Sequence, residues 1–114
     1  MSTVRTIQAV IPNGGTSSAA VDLGEGQLVG ISLPATMTGI TLSFTGSDDL
    51  NGTYQTIYYL SGVVITALTL TSSAGGKNIT LPLDFLAGYR FIKIVSGSAE
   101  GAERTIQLMV KNLT

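Results

Sequence analysis

The chain has 114 residues, 44% of them hydrophobic, which fills one core and is too short for two. Only 11% are charged, with a net charge of −1, against about 25% in a typical soluble domain, so much of the exterior must be Ser, Thr, Gly, Gln and apolar side chains, a surface suited to cover by other chains. Cysteine and histidine are absent, which excludes disulfides and thiolate metal sites and removes the commonest general base, and the scattered basic residues form no patch for nucleic acid.

Apolar residues recur at every second position, the period of a strand. Ile7, Ala9 and Ile11 make the first strand, closed by Pro12-Asn13-Gly14-Gly15. After a turn at Gly24-Glu25-Gly26, Val29, Ile31 and Leu33 repeat the pattern up to Pro34. Ile40, Leu42 and Phe44 then alternate with Thr41, Ser43 and Thr45, giving one core face and one hydroxyl face. Beyond the turn at Gly46 to Gly52, Val63 through Leu70 is more continuously apolar and reads as a strand covered on both faces. In so small a protein the second cover is expected from a neighbouring subunit. An interface is therefore expected at Val63, Val64, Ile65, Leu68 and Leu70, with Tyr58 and Tyr59 beside them.

After a turn at Ser72 to Lys77, Ile79, Leu81 and Leu83 form a short strand that Pro82 weakens or places on an edge. Asp84 to Gly88 suits one helical turn, with Asp84 as its N-cap and Gly88 as its end. Phe91-Ile92-Lys93-Ile94-Val95 again reads as covered on both faces, with Lys93 reaching water or a partner carboxylate. A loop from Ser96 to Ala102 leads to the last strand, Ile106, Leu108 and Val110.

Evenly spaced strands and turns predict an all-β, single-domain antiparallel β-sandwich over residues 1–114, of jelly-roll type with about eight strands. The segments 1–5 and 111–114 are expected to be short arms for reaching a neighbour. Tyr59 to Leu70 is too short and too interrupted to span a membrane. Met1 to Arg5 shows no secretion-signal pattern, so the Asn-x-Thr sequons at Asn51, Asn78 and Asn112 read as chance matches.

Few residues suggest chemistry. Asp48-Asp49-Leu50-Asn51-Gly52 offers oxygens to calcium, but lacks the closing bidentate Glu and reads better as a turn. Tyr54 and Tyr58, with Gln55, could stack on a sugar, although cross-strand packing accounts for them more simply. Glu100 and Glu103 flank Gly101-Ala102 and read as solvated loop charges, not as a glycosidase pair. Gly75-Gly76-Lys77 reads as a turn without phosphate-loop spacing. No catalytic, cofactor-binding or metal-ligating residues are expected, and no enzymatic activity.

The stretch Ile31-Ser32-Leu33-Pro34-Ala35-Thr36-Met37-Thr38-Gly39-Ile40-Thr41-Leu42-Ser43-Phe44 resembles small virion proteins of tailed bacteriophages, in which such a strand pair leads into a Gly-Thr-Tyr-Gln hairpin like Gly52-Thr53-Tyr54-Gln55. Leu81-Pro82-Leu83-Asp84-Phe85-Leu86-Ala87-Gly88-Tyr89-Arg90-Phe91-Ile92-Lys93-Ile94 and the closing Arg104-Thr105-Ile106-Gln107-Leu108 resemble the same group, so the likeness runs over roughly residues 28–111. The resemblance implies a capsid decoration or cement protein of jelly-roll type. Such a protein sits on the outside of the major capsid shell, binds the major capsid protein and itself as dimers or trimers, and is made in the bacterial host cytoplasm. It implies no cofactor, no nucleic-acid partner and no membrane partner. A tail or neck component and a carbohydrate-binding sandwich are the alternatives.

Overall fold

The computed structural model describes residues 2–24, 26–39, 41–61, 64–67, 69–71, 76, 78–80 and 89–113. In chain order the strands are β1 (Ser2–Ile11), β2 (Val21–Asp22), β3 (Gly26–Ser32), β4 (Thr41–Ser47), β5 (Gln55–Thr56), β6 (Tyr58–Ser61), β7 (Val64–Ala67), β8 (Thr69–Thr71), β9 (Asn78–Thr80), β10 (Phe91–Ser96) and β11 (Arg104–Leu113).

The topology is that of a long antiparallel hairpin rolled on itself. β1 pairs with β11, β2 with β10, β3 with β9 and β4 with β8, the four rungs of the unrolled hairpin. Rolling then sets β3 beside β11 and β4 beside β10. One sheet has the order β1-β11-β3-β9, and the other runs β2-β10-β4 with β5 and β8 both on the far side of β4. This is the eight-strand jelly roll that the spacing of strands and turns predicts. The remaining strands lie between β4 and β8. β5 takes the Thr45–Gly46 half of the β4 edge and β8 takes the Thr41–Ser43 half, while β6 and β7 form a hairpin that is a sheet of its own.

That excursion corrects one expectation. Val63 through Leu70 is not a single strand covered on two faces: β7 pairs with β6 and β8 with β4, so the apolar run is split between two sheets. Val63 and Leu68 lie outside the described residues, as do Ile40, Leu81, Leu83 and the Asp84 to Gly88 turn. The terminal segments are paired with each other, in unbroken register from Ser2↔Leu113 inward.

Alternation fills the space between the sheets. Ala9 and Ile11, Ile106, Leu108 and Val110 come from one sheet, and Leu42, Phe44, Ile92 and Ile94 from the other; all are buried in one cluster. Burial of each large side chain stabilises the fold by about 1.5–3 kcal/mol. In β3 the core side chains are Leu28 and Ile31, and Val29 is only half-buried. The cause is a bulge: the register with β11 shifts between Met109 and Val110, so Leu28 faces Val110 while Gly30 faces Met109. The extra residue, Val29, reverses the alternation that an unbroken strand would keep. In β10, Phe91, Ile92 and Ile94 are buried, whereas Lys93 and Val95 are half-covered.

Candidate interface surfaces

Pairing registers lay out the outward face of the first sheet in rows. Gln8, Gln107, Ser32 and Asn78 stand side by side across all four strands. The next row is Thr6, Met109, Gly30 and Thr80, and at the ends lie Val10 beside Thr105 and Val4 beside Lys111 and Gln27. Lys111 is the only charged member of these rows. Val4 is 64% exposed, and Thr6, Gln8, Asn78 and Thr80 are exposed with it. The low charge of the chain is thus concentrated into one flat face of amides, hydroxyls and apolar groups.

The second sheet presents a more charged exterior. Arg90 grips Asp22 through Nε and Nη2 at 3.0 and 3.2 Å and lies over the Phe91 ring, 5.0 Å from its centroid. The Arg90 hydrogen bonds, and then the Gly24 amide, hold the Asp22 carboxyl below its usual range. Lys93, expected to reach water or a partner carboxylate, places Nζ 4.3 Å from the centroid of the Tyr54 ring, a cation–π contact. The Tyr54 hydroxyl donates to the Leu50 carbonyl at 2.9 Å. Its pKa is raised by partial burial and then by the Asp49 carboxylate. Tyr54 is therefore engaged within the fold, while Tyr58 is 55% exposed.

The Asp48 to Gly52 segment is a turn. Asp49 Oδ1 accepts from the Asn51 amide at 3.2 Å, and the Gly52 amide donates to the Asp49 carbonyl at 3.0 Å. One carboxylate is thus bonding its own backbone, as Asp does in turns.

Of the residues expected at an interface, Tyr58, Tyr59, Val64 and Ile65 fall on the β6–β7 hairpin, where Tyr58 faces Ala67 and Leu60 faces Ile65. Leu70 lies on β8, against Leu42. The backbone thus gathers most of that set onto one hairpin.

Glu100 overturns its expectation. It is 1% exposed and not a solvated loop charge. Oε1 accepts from the Thr38 amide at 2.8 Å and from Arg104 Nε at 3.0 Å. Oε2 accepts from the Gly39 amide at 2.8 Å and the Ser96 hydroxyl at 2.6 Å. Its backbone binds the first loop as well: the Gly14 amide donates to the Glu100 carbonyl at 2.7 Å, and the Glu100 amide donates to Gly15 at 2.9 Å. Gly14 has φ of 82°, a conformation that glycine adopts without strain. Thr38 Oγ1 accepts from the Gly101 amide and from Arg104 Nη2. The Glu100 carboxylate therefore ties the β3–β4 and β10–β11 loops together, and the Glu100 backbone adds the β1–β2 loop. Burial pushes its pKa up, but the hydrogen bonds from Ser96, Thr38, Gly39 and Arg104 outweigh that and bring it down to about 2. With both oxygens doubly engaged, Glu100 has no lone pair placed for acid–base work, and Glu103 is exposed.

Fold and surfaces define an all-β jelly-roll module whose most distinctive exterior is a neutral sheet face. It is similar in fold to the crystal structure of the SPBc2 prophage-derived protein YomS, with a TM-score of 0.57 at 10% identity over 96% of each chain. Fainter likenesses are to chitosan-binding module 1 of a chitosanase/glucanase from Paenibacillus sp. IK-5, with a TM-score of 0.46 at 14% identity over 99% of this chain and 94% of that one, and to the cyanophage Pam1 capsid asymmetric unit, with a TM-score of 0.38 at 15% identity over 96% and 84%. No family model and no curated protein sequence matches the chain.

Proposed function

We propose that this protein is a structural subunit of a tailed-phage virion, a cement or decoration protein that lies on the outside of the major capsid shell and reinforces it, without enzymatic activity. The observation that carries this reading is the outward face of the first sheet, where Gln8, Gln107, Ser32 and Asn78 and then Thr6, Met109 and Thr80 present no ionised group. Covering these two rows desolvates no charge, so each apolar Å² removed from water contributes about 25 cal/mol before association costs. The fold shared with a prophage-derived protein supports the phage setting. The β6–β7 hairpin with the exposed Tyr58 gives a second contact to an adjacent capsomer.

Co-sedimentation of the purified chain with shells of the major capsid protein tests this. Saturable binding at a fixed ratio is expected, together with a higher melting temperature of the shell. Replacing Met109 and Gln107 by Glu should abolish both effects. Binding that ignores these two substitutions, or no binding at all, refutes the reading. The carbohydrate alternative ranks second because Tyr54 is already engaged by Lys93 and Leu50, which leaves Tyr58 as the exposed ring. A glycan-array signal lost on Tyr58→Ala would promote it.

A further inference from the structure

Natural sheets guard their open edges, because unpaired N–H and C=O groups template the addition of another strand. Among the described residues most of the open edges are short. β9, which ends the first sheet, has 3 residues; on the second sheet β2 and β5 have 2 each and β8 has 3. β1 is the exception. It ends the first sheet on the other side and runs for 10 residues, about 33 Å at the usual strand rise, nearly the 38 × 34 × 28 Å span of the molecule. Among the described residues no hydrogen bond crosses its open side.

Two other devices that protect an edge, proline and a bulge, are missing from β1. Ser2–Ile11 contains no proline, and its register with β11 has no shift or bulge. Its single charged residue, Arg5, is tied to its own molecule, with Nη2 donating to the Leu23 carbonyl at 2.5 Å and Nε to Asn112 Oδ1 at 3.5 Å. The exposed residues along the strand, Val4, Thr6 and Gln8, are uncharged.

We propose that β1 pairs antiparallel with β1 of a second copy about a two-fold axis, joining the two four-stranded sheets into one continuous sheet. A second copy fits this edge better than a foreign strand. Two-fold symmetry brings an equally long, equally unguarded edge to meet it, and a net charge of −1 offers little repulsion between copies. With the two strands paired over their full length, Ser2 against Ile11, Arg5 falls opposite Gln8 of the second copy, so no like charges oppose each other along the seam, where such pairs would be destabilising. This pairing concerns the isolated protein and holds whether or not the outward face docks on a capsid shell.

Light scattering and sedimentation equilibrium on the full chain test the proposal. The expected mass is twice the 11.8 kDa of one chain. The double variant Thr6→Lys, Gln8→Lys sets ammonium groups along the seam and should fall to a single chain that keeps the folded circular dichroism spectrum. The double variant Thr105→Lys, Gln107→Lys puts the same charge on the same face one strand inward, and should stay dimeric. Backbone amides of β1 on the open side should gain exchange protection as the concentration rises. A wild-type chain that stays at one-chain mass overturns the proposal. So does a dimer that survives the β1 lysines, or one lost to the β11 lysines, which would signal pairing through the face.

Discussion

Arg104 Nε meets Glu100 Oε1 at 3.0 Å, with the carboxylate side chain wholly covered and the guanidinium side chain 15% exposed. Removing one member of a buried ion pair leaves the other uncompensated and typically costs 3–5 kcal/mol. Glu100 also satisfies the amides of Thr38 and Gly39, so Glu100→Ala strands the buried Gly39 donor and the part-buried Thr38 donor along with Arg104. A loss of about 3 kcal/mol is expected, roughly 10–20 °C in melting temperature for a domain of this size. Thermal melts followed by circular dichroism check it; a shift of only a degree or two would mean that the β3–β4 and β10–β11 loops hold together without the carboxylate.

The same group sets the acid stability of the fold. Its folded pKa of about 2 lies below the ordinary value of 4.5. A depressed carboxylate contributes stability that is fully present above the unfolded pKa and is lost as pH falls through the folded one. Stability should therefore be flat above about pH 5.5 and decline from there toward pH 2, with Glu100 supplying on the order of 3 kcal/mol of the change. Denaturant melts of the wild type and Glu100→Gln across that range should converge as pH drops. Parallel curves would assign the acid sensitivity to another group.

Asp22 and Arg90 make the contrast. Their pair has comparable geometry, but the side chains are 49% and 59% exposed, where water and salt screen the attraction. Asp22→Asn should leave the melting temperature within measurement error at physiological ionic strength. A drop comparable to that of Glu100→Ala would show that the β2–β10 edge depends on this pair.

Alternation made the core strands legible. Ile7, Ala9 and Ile11, Leu42 and Phe44, and Ile106, Leu108 and Val110 each obey a local rule that needs no knowledge of the partner strand. The bulge at Val29 does need it, because the shift is defined by where β11 passes Met109 and Val110. The split of the run ending at Leu70 is hidden for the same reason: an apolar segment looks alike whether it serves one sheet or two. Glu100 was misleading locally. Its neighbours are Ala, Gly and Ser, while the amides that bind its carboxylate come from residues 61 and 62 positions away. The Arg104 four positions on was the one signal at short range. The neutral face was foreshadowed by the scarcity of charge, and its location required the registers.

Phe44 is the largest of the fully buried side chains and stands on the central strand of the second sheet, opposite Ile94. Phe44→Ala should cost about 3–5 kcal/mol through lost burial and the cavity left behind. Phe44→Leu should recover much of that loss. Equal destabilisation by both would point to ring geometry, not volume, as the contribution of this side chain.

Gly39 completes the account of the Glu100 cluster. Its amide donates to Oε2, and a Cβ added there would collide with the Ser96 hydroxyl and lie 3.1 Å from Oε2 of Glu100. Gly39→Ala must therefore displace Ser96 or the carboxylate and break at least one hydrogen bond, at about 1–3 kcal/mol. Because the damage falls on one network, Gly39→Ala and Glu100→Ala should not add: once the carboxylate is gone, Ser96 is free to turn away from the new methyl group. A double-mutant cycle should show the pair destabilising less than the sum by about 1 kcal/mol or more. Strict additivity would mean that the close packing at Gly39 and the carboxylate act separately, and that the three loops are not held by a single node.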